Sequence, residues 1–172
     1  MIVVGHQPNY LPYLGFFDKA GRCDRFVIVD NTQFVKRGPF GWIHRNKIRT
    51  ADGWAWLTVP VVTHGRFDQK ILEAEIDNHL PWGRKHWRTL LGQYRKAPYF
   101  AAHADFFEAT YSREWKFLVD LNLAFIEYLF RVLGIEVPMV RASALGAQGN
   151  ATEYVVDLSR RAGATVYVTG KH

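Results

Sequence analysis

Two short apolar runs, residues 2–5 (Ile-Val-Val-Gly) and 26–30 (Phe-Val-Ile-Val-Asp), each break off into a polar stretch rich in turn formers. No other feature limits the fold as tightly. Continuous apolar runs of this length, bounded by turn signals, are the pattern of strands covered on both faces. The two read as parallel neighbours, joined through a short helix at residues 13–20. A third strand is expected at 54–62, with Pro60 suiting an edge or an end, and a further one at 67–76. Pro81 stands just inside a helix running to about Lys96, where Pro98 stops it.

Downstream, Trp115, Leu118, Val119, Phe125, Ile126, Leu129, Phe130 and Leu133 recur at three- and four-residue spacing and predict a helix over 112–133. Ser112 is expected to cap it and Gly134 to end it. Asn122 lies on the apolar stripe and is expected to be hydrogen-bonded inside. A strand at 137–142, a Gly-rich loop, a helix at 152–162 and a last strand at 164–169 complete a parallel βαβ unit. Asn150 and Glu153 have the spacing of a capping box at the start of that helix. The class is α/β: a mostly parallel sheet flanked by helices in Rossmann-like layering, as one domain over 1–172. The last strand ends where such a domain still has a wall to build. Further chain, or a second copy of the protein, is therefore expected to supply that surface, and an apolar patch is expected beside the first strand.

Apolar residues make up 48% and charged residues 22%, which fits a globular chain. No apolar run approaches the ~20 residues needed to span a bilayer, so no membrane partner is expected. A lone cysteine, Cys23, allows no internal disulfide and too few thiolates for a cysteine zinc site, and fits a reducing cytoplasm. The net charge of +6 is unevenly placed. Lys36, Arg37, Arg45, Lys47 and Arg49 fall in one acid-free window between Asn31 and Ala51. Arg84, Lys85, Arg88, Arg95 and Lys96 fall in another between Asn78 and Ala104. Regional positive charge of this kind gathers anions, and a phosphate-bearing small molecule is the expected ligand.

Three constellations carry candidate chemistry. Gly5-His6-Gln7-Pro8-Asn9-Tyr10 follows the first strand, at the end where open parallel sheets bind ligands. Histidine exchanges a proton near neutrality, and the amides both donate and accept. Asp30, Gln33 and Lys36 follow the second strand, where Asp30 can orient a base, hold a hydroxyl or bind a metal, or else serve as a cap or salt bridge. His44, Arg45, Asn46 and Lys47 follow Trp42 and Ile43, with Arg45 suited to bidentate contact with phosphate or carboxylate. G-x-G-x-x-G, the P-loop, H-E-x-x-H and G-x-S-x-G are all missing from the sequence.

With these residues in view, the chain resembles the WbqC-like family, named for a protein encoded with bacterial O-antigen biosynthesis. The matching strings are residues 6–13 (HQPNYLPY), Gly15-Phe16-Phe17, residues 26–30 with Gln33-Phe34, Arg45-Asn46-Lys47-Ile48, and residues 56–61. Later strings are Ser143-Ala144-Leu145, residues 149–152 and residues 163–170. The resemblance implies an enzyme tied to nucleotide-linked sugars or related metabolites, with transfer of a glycyl or similar aminoacyl group to an amine. On this reading His6 is the general base, with Asp30 beside it as a catalytic carboxylate. Gln7, Asn9, Tyr10, Gln33, Lys36, His44 and Asn46 hold the substrate, and Arg45 and Lys47 clamp its anion. An acyl carrier or aminoacyl donor is the implied second partner, and the sequence names no cofactor. An ATP-using ligase or nucleotidyltransferase is the alternative enzyme, with Asp30 as its one strong magnesium ligand. A non-catalytic nucleic-acid binder is disfavoured, because the motifs gather in amide-bearing turns and not in an interleaved basic and aromatic stripe.

Overall fold

The computed structural model describes residues 1–37 and 41–169. Over these residues the elements run β1 (Ile2–His6), α1 (Leu14–Ala20), β2 (Arg25–Ile28), β3 (Arg45–Thr50), β4 (Gly53–Thr58) and a 3₁₀ turn (Ile71–Glu73). There follow α2 (Trp82–Tyr94), α3 (Phe100–Ser112), α4 (Leu118–Val132), β5 (Met139–Arg141), α5 (Ala142–Leu145), α6 (Ala151–Arg161) and β6 (Val166–Val168). Among the described residues the strands form a four-stranded sheet, ordered β5-β2-β1-β6, and a separate β3–β4 hairpin. Every pairing in the larger sheet is parallel, with His6 opposite Ile28 and Ile28 opposite Arg141.

The two apolar runs do form adjacent parallel strands, and their alternation sorts the core into layers. Successive strand side chains point to opposite faces. Val4, Phe26 and Ile28 meet Phe16, Phe17, Ile126 and Phe130 on one face. Val3, Val27 and Val29 meet Leu158 and Ala162 on the other. A third cluster lies beneath the hairpin, where Ile48 and Leu57 pack with Ile43, Tyr10, Leu118, Leu121 and Phe125. Helix α4 therefore serves two layers from one stripe. Its Leu118, Leu121 and Phe125 support the hairpin, and its Ile126 and Phe130 support the sheet.

Four expectations are corrected. The long helix at 112–133 is two helices: Ser112 closes α3, and α4 begins only at Leu118. Trp115 sits in the break, its indole N–H donating to Thr110 O at 2.9 Å under the Arg113 guanidinium. Its place on the apolar periodicity reflects burial between helices. Gly134 does turn left-handed after α4, at φ 65°. Residues 67–76 hold the short 3₁₀ turn Ile71–Glu73 between isolated bridges, Gln33 to Lys70 and Val61 to Ile76, and not a strand. At the end of the chain, β5 and β6 are parallel yet lie on opposite edges with β2 and β1 between them. Asn150 precedes α6 without capping it through its side chain, and Ala151 is left-handed at φ 46°.

Beside β1, the side chains of Ile2 and Val166 are exposed. The Gly170 that closes the last resemblance string lies outside the described residues, as do Lys171 and His172. Among the described residues no helix is long and apolar enough to cross a membrane.

Helices α2 and α3 cross at Gly83, where an added Cβ would run into the Tyr111 carbonyl oxygen. Gly92, nine residues on in α2, has nothing within 4 Å of such a Cβ. Gly83→Ala is expected to destabilise the fold by about 1–3 kcal/mol through forced separation of the helices. Gly92→Ala should stabilise it by about 0.5–1 kcal/mol through helix propensity. Urea unfolding of the two variants checks both signs.

Candidate active site

The carboxyl ends of β1 and β2 bring the first two constellations together. Val29 N donates to His6 O at 2.9 Å, so the ladder continues to the strand ends. Past it, Gln7 Nε2 donates to Thr32 Oγ1 at 3.1 Å. Gln7, Asp30 and Gln33 therefore share one edge of the sheet. The 3₁₀ turn packs below, with Leu72 N donating to Asp30 O and Ile71 N to Thr32 O, each at 2.9 Å.

His6 is half-buried, its ring edge-on to Phe16 at 4.8 Å. Its Nδ1 lies 2.9 Å from Gln7 O. A carbonyl only accepts, so Nδ1 is the donor in this contact. His6, Ile28 and Arg141 stand in one row across β1, β2 and β5. Two strand spacings put His6 and Arg141 about 10 Å apart.

Asp30 lies beneath that row and is fully buried. Its carboxylate accepts from Arg141 Nε at 2.5 Å, Ser143 N at 2.9 Å and Ser143 Oγ at 2.8 Å. Those three bonds engage both oxygens and hold the carboxylate towards Arg141 and Ser143. Asp30 is a positioning residue for Arg141 and for the turn into α5. Among the described residues no three His, Cys, Asp or Glu side chains gather where they could hold a metal. Arg141 keeps 39% of its side chain exposed. Alongside, Tyr154 Oη donates to Asn31 Oδ1 at 2.5 Å. Burial, with the Asp30 charge adding to it, pushes the Tyr154 phenol up to about 12.

The other site residues expected from sequence fall elsewhere. Tyr10 is fully buried, its hydroxyl bonded to His86 Nδ1 at 2.9 Å and to Tyr111 Oη at 2.5 Å. It is a core residue and not a substrate contact. Asn9 is buried beside it. His44 is buried against Phe34. Lys36 Nζ reaches Thr63 Oγ1 at 3.3 Å; Gln33, although it stays at the edge it shares with Gln7, donates its Nε2 to Phe67 O at 3.0 Å. Asn46 points inward from β3 and donates to Leu11 O, holding a residue in the left-handed region at φ 45°. Arg45 and Lys47 alternate with Asn46 and face outward, so they are no clamp at the sheet edge. Cys23 has its thiol pushed up and not down, because burial, with the Asp24 charge adding to it, outweighs the backbone hydrogen bonds from Arg25 and Val4.

Sequence reasoning missed Arg141, Ser143 and Thr32 as site residues. The rule that singled out Asp30, polar groups where a buried strand ends, applies equally to Arg141 at the end of β5 and Ser143 just past it.

A histidine, an amide and an anchored arginine stand at the carboxyl ends of the parallel sheet of this α/β protein, the end where open sheets of this kind bind ligands. The chain belongs to the WbqC-like protein family, whose model matches residues 7–172. It is also similar to a Mycobacterium tuberculosis protein named "Uncharacterized protein Rv1507c", 37% identical over 165 residues. That alignment covers 95% of this chain and 70% of the relative. No solved structure matches it.

Two buried histidines set a pH limit on the fold. Burial, helped by the charges of Arg45 and Lys36, lowers His44 from 6.5 to about 4. Burial also lowers His86 to about 4, against an opposing hydrogen bond to the Thr58 backbone. The unfolded chain protonates both below about pH 6.5, whereas the fold keeps them neutral until about pH 4. Stability is therefore complete above pH 6.5 and falls as pH drops towards 4. His86→Leu is expected to halve this histidine part of the slope. Urea unfolding of both proteins between pH 6.5 and 5 measures it as a difference of about one proton.

Proposed function

We propose that this chain is a transferase that moves a glycyl or similar aminoacyl group onto the amine of a nucleotide-linked amino sugar. The observation that carries the reading is the row His6–Ile28–Arg141, which sets a basic nitrogen and an anchored cation about 10 Å apart at the strand ends. In this reaction His6 Nε2 takes a proton from the acceptor amine as its nitrogen bonds to the acyl carbon. The acyl–donor bond then breaks, and the leaving group departs with the electron pair and takes up a proton. Gln7, turned by Thr32, and Ser143 orient the sugar. The outer guanidinium edge of Arg141 meets phosphate, fixed in direction by buried Asp30. That assignment replaces Arg45 and Lys47 as the anion clamp. The single cysteine fits a cytoplasmic setting.

The test is a panel of amino-sugar nucleotides with glycyl thioester, glycyl adenylate and glycyl-tRNA as donors, read by mass change of the acceptor. One donor is expected to add a glycyl group. His6→Gln should lower kcat at least about a hundredfold. Arg141→Met should raise KM for the sugar nucleotide and abolish its thermal shift. Failure of every pair to react, with no thermal shift from any sugar nucleotide, would overturn the reading.

A further inference from the structure

The hairpin carries what the sequence hid. In the β3–β4 register Arg45 lies opposite Thr58, Lys47 opposite Trp56 and Arg49 opposite Trp54. These side chains share the outer face, since Ile48 and Leu57 fill the core beneath. Trp42 joins them from the preceding turn. Trp42, Trp54 and Trp56 are 37%, 57% and 36% exposed, unusual for three neighbouring indoles. Trp42 and Trp56 lie 5.2 Å apart between ring centres, and Trp56 and Trp54 5.9 Å. The cations are laid over these rings. Arg45 Cζ is 4.4 Å from the Trp56 centroid, and Lys47 Nζ is 3.8 Å from that of Trp54.

At its far end the stripe does not stop. Arg49 N donates to Tyr94 Oη at 2.9 Å, tying the hairpin to the end of α2. There a cavity of about 480 Å³ is lined by Arg49, Gln93, Tyr94, Arg95 and Lys96 among others, without a carboxylate. The two acid-free windows thus meet in space, through Arg49 and Tyr94, 45 residues apart in sequence. Arg45, Lys47, Arg49, Arg95 and Lys96 have no carboxylate partner among the described residues.

We propose that this face, from Trp42 to the Arg95–Lys96 cavity, binds single-stranded nucleic acid. Indoles stack on bases of any sequence, while cations interleaved between them track the phosphates. An acidic peptide would answer the cations and leave three indoles in water. A duplex would hide its base faces from the rings. None of the residues named on this face belongs to the His6–Ile28–Arg141 row, and the proposal holds whether or not the transfer reaction does.

The experiment is fluorescence anisotropy of a labelled 12-nucleotide oligo-U, with a duplex of the same length and a polyglutamate peptide as competitors, at 50 and 200 mM salt. The single strand is expected to bind, quench tryptophan emission and weaken steeply with salt. Trp54→Ala should weaken it about tenfold or more, with an unchanged Tm because the side chain is exposed. Arg95→Glu should weaken it and flatten the salt dependence. Absence of binding at 50 mM salt overturns the proposal. So does competition by duplex or polyglutamate equal to that of unlabelled single strand, or a Trp54→Ala affinity equal to the parent's.

Discussion

Asn122 stands on the buried side of α4, and its Nδ2 donates at 2.7 Å to both Pro8 O and Ile43 O. Ile43 O also accepts from Tyr10 N at 3.1 Å. One amide thus joins the helix beneath the sheet, the loop that leaves β1 and the turn that enters the hairpin. Each bond contributes only about 1 kcal/mol net, but a buried carbonyl left without a donor costs more than that. The parts of the fold that differ most, parallel sheet and antiparallel hairpin, are registered to each other here. The position of His6 is set by the same junction, because Gln7 and Pro8 follow it directly.

From that junction the polar groups divide by direction. At the strand ends, buried Asp30 spends its charge on orienting Arg141, leaving one partly exposed cation of fixed aim. On the hairpin the cations rest on indole faces, which hold them by a softer attraction and keep them accessible. The first arrangement suits a ligand of defined shape, the second a ligand that varies along its length. A single chain keeps the two apart because β3 alternates. Arg45, Lys47 and Arg49 must face away from the core that Asn46 and Ile48 enter.

What the sequence revealed followed from local physics. The strands β1 and β2, the short α1 and the buried role of Asn122 could be read because apolar runs, turn formers and a polar residue on an apolar stripe each mean the same thing in most settings. The edge shared by Gln7, Asp30 and Gln33 came with them. What stayed hidden depends on distant partners. Tyr10 looks like a site residue until His86 and Tyr111 close over its hydroxyl, and Asp30 looks like a catalytic carboxylate until β5 and α5 bring Arg141 and Ser143 to it. The break between α3 and α4 was masked because Trp115 keeps the apolar rhythm outside any helix. The basic and aromatic stripe escaped notice because its tryptophans and cations alternate on two strands, and only their pairing places them on one face.

The placement of β1 between β2 and β6 has a consequence in time. One partner strand begins 22 residues downstream, whereas the N-terminal ammonium reaches Thr165 across 164 residues at 2.6 Å. A ribosome needs roughly ten to thirty seconds to cover that interval. Through that delay β1 can be zipped to β2 but keeps its other edge open, and closing so long a loop is slow even once the chain is free. Newly made molecules therefore pass through a stage with a bare, apolar strand edge, the state in which neighbouring chains are most apt to pair. Arrival of β6 ends this exposure.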